Sequence, residues 1–256
     1  MEIRELLDKL CDKYPLSLQE EWDNSGLQIG NIENELKNIL ISLDLEDEGV
    51  DYAIENDCNL IITHHPYLFN GTKSIDFTDK FYDRLEKVIK NDITVFALHT
   101  NLDIAEDGLN DNLCEILKIK DVKVLEQDKI IGLGRYGFVE ETSAKDFAKS
   151  VKETLKANEL VCYGDTDKKI SKVALCGGAG QSLLDDALAH NCDLMITGDV
   201  SYHMGMDYAN RGLFIIDAGH FASENHIIYK LKDVISKMTD NNIYTYSKED
   251  TFRTFI

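Results

Sequence analysis

The chain has 256 residues, enough for one large domain or two modest ones, and its 43% hydrophobic composition is that of a globular protein with a sizeable core. A formal charge of -20, from 27 Lys+Arg against 47 Asp+Glu, argues against a nucleic-acid surface, which needs a basic stripe, and against anionic membranes. No apolar run approaches the roughly 18 residues of a spanning helix, and the opening "MEIRELLDKLCDKY" is acidic and amphipathic, unlike a signal peptide, so the expected compartment is the cytoplasm.

In chain order, "EWDNSGLQIG" at 21–30 carries the one tryptophan, an acid and Asn-Ser-Gly, and on its own reads as a turn into a strand. Apolar runs at 38–43, 60–63 and 93–98 predict buried strands, with helices at 47–56 and 77–90 between them. That is β-α-β-α-β, the pattern of a mostly parallel sheet covered by helices. Residues 122–170 change character: glycines and short β-rich runs suggest antiparallel strands, and 143–158 predicts a helix capped by Ser143. The first order then returns, with strands at 172–178, 194–197 and 213–217 and helices at about 181–190 and 202–210. A further helix runs from Ser223 and Glu224 to about residue 238, and the tail 242–256 alternates like a closing strand or hairpin.

The recurrence extends to residues. "NDCNLIIT" at 56–63 laid over "HNCDLMIT" at 190–197 matches Cys58 with Cys192, Leu60 with Leu194, Ile62 with Ile196 and Thr63 with Thr197. In each half the third strand is followed by the same spacing, His99-x-x-x-Asp103 and His220-x-x-x-Glu224. The expectation is two α/β lobes from an internal duplication, 1–125 and 126–256, the first carrying His64, His65, His99 and Asp103 and the second His220 and Glu224. The 6 cysteines show no C-x-x-C and no metal spacing, and read as reduced core thiols.

Ligands of open α/β sheets bind outside the carboxyl ends of the strands. The polar residues there are Asp44, the pair His64 and His65, His99 with Asp103, then Gly198, Asp199, His220 and Glu224. Imidazole with carboxylate and no thiolate suits Zn, Mn, Fe or Ni, and paired-metal hydrolytic sites use such mixed ligands. Neighbouring side chains on a strand point to opposite faces, so His64 and His65 are placed to serve two different ions. If the turn after His220 is helical, Glu224 shares its face; helix capping is the simpler role for Glu224. "CGGAGQSLL" at 176–184 is either a backbone cradle for phosphate or a tight turn.

"WDNSGLQIG", "ITHHPYLFNG", "HTNLDIAEDGLND", "CGGAG", "ITGDVSYH" and "DAGHFASE" stand in the order found in the GTP cyclohydrolase 1 type 2 homologue family, also called the Nif-three-like family, which the chain resembles over nearly its whole length. It is similar to the short members, without an inserted domain. The resemblance implies a two-lobed Nif-three-like α/β fold, a hexameric ring, and two divalent metal ions in the cleft between the lobes. It implies His65 and Asp103 on one ion, His64 and His220 on the other, and Glu224 bridging both, with His99 beside them as an acid/base group or outer ligand. Asp44 and His203 are weaker candidates. The implied activity is hydrolytic, on a nucleotide or a related small molecule. The alternative is a protein that handles metal without turnover, as a metallochaperone or regulatory adaptor.

Overall fold

The computed structural model describes residues 1–248. Helix α1 (Ile3–Lys13) buries Ile3, Leu6, Leu7 and Leu10, the one-face spacing of an amphipathic helix. Then follow β1 (Gly26–Ile29), β2 (Asn38–Ser42), α2 (Asp47–Glu55), β3 (Cys58–Thr63), α3 (Asp83–Lys90), β4 (Thr94–Ala97) and the single turn α4 (Thr100–Ile104). The three expected strands are present, and β2, β3 and β4 lie parallel side by side. Their near-continuous burial is that of strands covered on both faces. The expected helix at 77–90 begins later, because a 3-10 turn at Lys80–Tyr82, with Asp79 Oδ1 accepting from Phe81 N, precedes α3.

The chain continues through α5 (Leu109–Ile116), β5 (Lys120–Val124), β6 (Arg135–Ser143), α6 (Ala144–Leu155), β7 (Val161–Tyr163), β8 (Lys169–Leu175), α7 (Leu184–Ala189), β9 (Leu194–Thr197), α8 (Tyr202–Asn210), β10 (Phe214–Asp217) and α9 (His220–Glu224). Ser143 caps α6 as expected, its Oγ accepting from Asp146 N at 3.1 Å. Alternate residues of the parallel strands feed two cores. Val173, Leu194, Ile196 and Phe214 pack with Phe147 and Val151 of α6, while Ala174, Met195 and Ile215 pack with Leu184 of α7 and Tyr208 of α8. Helix α10 (Ile227–Ile235) and β11 (Ile243–Tyr246) complete the described chain. The rest of the alternating tail, 249–256, lies outside the described residues.

The first sheet runs β1-β4-β3-β2-β11 and the second β5-β6-β8-β9-β10-β7. The second repeats the plan of the first. Strands β8, β9 and β10 are parallel, as β2, β3 and β4 are, and in each sheet the third of these takes an antiparallel edge partner, β1 on β4 and β7 on β10. The loop after the third strand is tied back alike in both: Leu98 N donates to Thr63 O at 2.9 Å, and Ala218 N donates to Thr197 O at 2.8 Å. Strand β11 pairs parallel with β2, so the end of the described chain returns to the first sheet. Two compact units result, Met1–Leu102 with Ile227–Lys248, and Asp103–His226. They are not consecutive along the chain, in contrast to the expected division at 125/126.

In the second unit the buried Arg135 ties α4 to α5. Its guanidinium donates to Asp111 Oδ1 at 2.5 Å, to the carbonyls of Gly132 and Gly134, both at 2.9 Å, and to those of Ile104 and Ala105 at 3.1 and 3.3 Å. Removing the carboxylate leaves a guanidinium in a site that is 6% exposed. Asp111→Ala is therefore expected to destabilise the protein by about 3 kcal/mol, read as a lower urea midpoint at unchanged slope.

Candidate metal centre

In the first unit β3 stops at Thr63, so strand alternation no longer governs His64 and His65. Their ring centroids are 4.9 Å apart, and what separates them is the neighbour each is anchored to. Because β3 lies between β4 and β2, His64 is held from one side and His65 from the other. His64 Nδ1 lies 2.7 Å from the Leu98 carbonyl beyond β4, and His65 Nδ1 lies 2.8 Å from Asp44 Oδ1 beyond β2. A carbonyl oxygen can only accept, so His64 Nδ1 carries the proton and the neutral ring has its lone pair on Nε2. His99, after β4, joins them: one ring nitrogen from each of His64, His65 and His99 lies within 4.8 Å of the others.

In the second unit α9 is one helical turn, and it puts His220 and Glu224 on one face, with Nε2 and Oε2 3.1 Å apart. His220 Nδ1 is 2.7 Å from Asp199 Oδ2. Asp199 takes the left-handed conformation at φ 54, which Asp and Asn tolerate better than most side chains. Glu224 is 3% exposed, and the glycine-rich turn "CGGAG" is its seat. Gly178, at φ 61, donates its N–H to Ser223 Oγ at 3.0 Å; a Cβ there would stand 2.2 Å from Glu224 Oε1. The tight-turn reading of that motif accounts for its glycines.

A sequence model of the family Duf34/NIF3 (NGG1p interacting factor 3) matches residues 1–251. The chain belongs to this family. It is 38% identical over 229 residues to a GTP cyclohydrolase 1 type 2 homolog of Clostridium acetobutylicum, covering 88% of this chain and 85% of the relative. A protein of the same name from Clostridium perfringens is 34% identical over 254 residues, covering 97% of each. The fold is that of a Bacillus cereus protein related to NIF3, whose crystal structure superposes with a TM-score of 0.93 at 25% identity, over 100% of this chain and 99% of that one.

This Duf34/NIF3 chain offers His and carboxylate groups that could hold a metal ion, and the donor set fits one. All four histidines, His64, His65, His99 and His220, have Nδ1 committed to a carbonyl or carboxylate oxygen. Ligating histidines are oriented in this way, since an acceptor on one ring nitrogen fixes the tautomer and raises the basicity of the other. Among the described residues no candidate ligand group contains a thiol, and burial pushes Cys58 and Cys114 up to about 12 and Cys192 up to about 11. Asp103, on α4, has its carbonyl held by Asn110 Nδ2 at 3.0 Å, and Asn110 Oδ1 accepts from Gly177 N at 2.9 Å. Asp44 and Asp199 orient imidazoles, and His203 is exposed on α8 with its ring against Tyr202. No helix among the described residues is long and apolar enough to cross a membrane.

Asp23, in "WDNSGLQIG", has partners that its own sequence neighbourhood does not announce. Its Oδ1 accepts from His99 Nδ1 at 2.7 Å and from Asn24 N at 2.7 Å, and its Oδ2 from Thr100 Oγ1 at 2.5 Å, Ser25 Oγ at 2.8 Å and Thr100 N at 3.1 Å. Burial alone would raise its pKa, but the bonds from His99, Thr100 and Ser25 and the charge of His99 together hold it well below the usual carboxylate range. A folded value below the unfolded one of about 3.9 gives stability that is present above that pH and lost as pH falls through the folded value. Asp23→Asn should therefore cost about 2 kcal/mol at pH 7. In urea unfolding the gap to wild type should narrow below about pH 4; a gap constant from pH 7 to pH 3 would show that its charge is not what stabilises.

Proposed function

We propose that this Duf34/NIF3 protein is a dinuclear metal-dependent hydrolase acting on a nucleotide or a related small molecule. His65 and Asp103 would hold one divalent ion and His64 and His220 the other, with Glu224 as a carboxylate available to both. The observation that carries the reading is the commitment of every Nδ1 in the set to an acceptor, which presents Nε2 as the ligating atom of each imidazole. Zn, Fe, Mn and Ni all suit such ligands. What two such ions supply when bound is Lewis-acid activation of water and of a substrate oxygen.

His99 supplies the proton transfer. With Nδ1–H donated to the Asp23 carboxylate, Nε2 is the atom that takes a proton, and Asp23 stabilises the imidazolium that results. Ser25 Oγ accepts from His99 N at 3.3 Å, so backbone and ring are held by the same loop. The hexameric ring that the resemblance implies belongs to the same proposal, as does the cytoplasmic location expected from the sequence.

Metal-reconstituted protein assayed against a panel of nucleotides and phosphoesters tests it, with Glu224→Ala alongside. Turnover that the variant loses supports the assignment, and equal activity in the variant would sink it. Metal bound by wild type with no turnover on any member would replace it with the metal-handling alternative.

A further inference from the structure

Trp22 is the only tryptophan of the chain and is 60% exposed; Phe69, in the loop after β3, is 44% exposed. Their rings meet edge to face with centroids 6.0 Å apart, and each stands 6.2 Å from the imidazole of His99, at 77° and 85°. Three steep rings thus make an open corner, one wall of which is the proposed proton-transfer group. Large exposed aromatics beside polar residues mark binding surfaces more often than scattered apolar residues do.

The two loops that carry these rings are locked to each other. Asn24 Nδ2 donates to Leu68 O at 2.7 Å, Leu68 N donates to Gln28 Oε1 at 3.1 Å, and Gln28 Nε2 returns to Asn24 O at 2.7 Å. Asn24 and Leu68 are the immediate neighbours of Trp22–Asp23 and Phe69, so the bracing falls where it sets the rings. Asp23 and Ser25 pin the same loop to the backbone at Thr100 and His99. The corner is preorganised, and a ligand entering it bears little ordering cost.

We infer that Trp22, Phe69 and His99 form a recognition corner for a planar nitrogen heterocycle of the nucleobase class, which stacks on one of the two aromatic side chains, meets the other at an edge and turns its own edge to His99. The net charge of -20 favours recognition through a neutral ring over recognition through phosphate. Stacking on an aromatic side chain suits any base, since every base has a π-face. The role of the corner in turnover rests on the hydrolase proposal; its binding of a heterocycle does not.

The lone tryptophan makes the test direct. The full chain, metal-loaded and again after chelation, is titrated with guanosine, adenosine and ribose 5-phosphate while Trp22 fluorescence is followed. Saturable quenching by a nucleoside and none by ribose 5-phosphate is expected. Phe69→Leu, which keeps the reporter, and Trp22→Leu, followed by calorimetry, should each weaken nucleoside binding by roughly ten-fold with metal content unchanged. No saturable response to either nucleoside, or undiminished affinity in both variants, would overturn the inference. So would Trp22 shielded from acrylamide without ligand together with a Trp22→Leu chain of altered oligomeric state, which would place a second copy in the corner. Nucleoside binding by a protein that binds no metal would keep the corner and discard the metal centre, and metal binding without nucleoside binding would do the reverse.

Discussion

Gly178→Ala is expected to lower metal affinity at least ten-fold while leaving the fold intact. Two effects act at that position. At φ 61 an alanine bears a left-handed backbone cost of roughly 1–2 kcal/mol, and its Cβ would lie 2.2 Å from Glu224 Oε1 and 3.3 Å from His220 Cε1. Glu224 is buried on a one-turn helix, so its carboxylate must leave the position in which it faces His220 Nε2. Gly212→Ala separates the two effects: φ there is 94, and a Cβ would meet nothing within 4 Å. Calorimetric metal titration should show the loss in Gly178→Ala and not in Gly212→Ala. Equal affinity in both variants would mean that the Glu224 carboxylate does not hold metal from its present seat.

The second large effect is expected from Asp44→Asn and Asp199→Asn. Each replacement keeps the shape of the side chain, and Asn tolerates the φ of 54 at position 199. What is lost is the negative charge opposite Nδ1 of His65 and of His220. Partners of this kind are worth 10–100-fold in metal affinity, and each variant should lose about that much, with little change in thermal stability. Full affinity in both would reduce the two carboxylates to surface hydrogen-bond partners.

How much of this was legible in the sequence depended on distance along the chain. The apolar runs gave β2, β3, β4, β9 and β10 because a buried parallel strand needs only its own residues to announce it. Ser143 as a cap and the His220–Glu224 turn were equally local. The duplication showed in "NDCNLIIT" and "HNCDLMIT", and the two sheets carry it through to the antiparallel edge strand of each. Partners distant in sequence were invisible. Strand β11 pairs with β2 from the far end of the chain, Asp23 serves a histidine 76 residues away, and Gly178 seats a glutamate in another motif. Strand alternation gave His64 and His65 a reason to diverge, but the divergence comes from Leu98 and Asp44, which belong to opposite neighbours of β3.

Anomalous diffraction from crystals of the metal-reconstituted protein tests the paired-metal assignment. Two peaks per chain are expected, one at His65 and Asp103 and one at His64 and His220, with Glu224 serving both. A single peak held by other residues, or none after reconstitution, would contradict it.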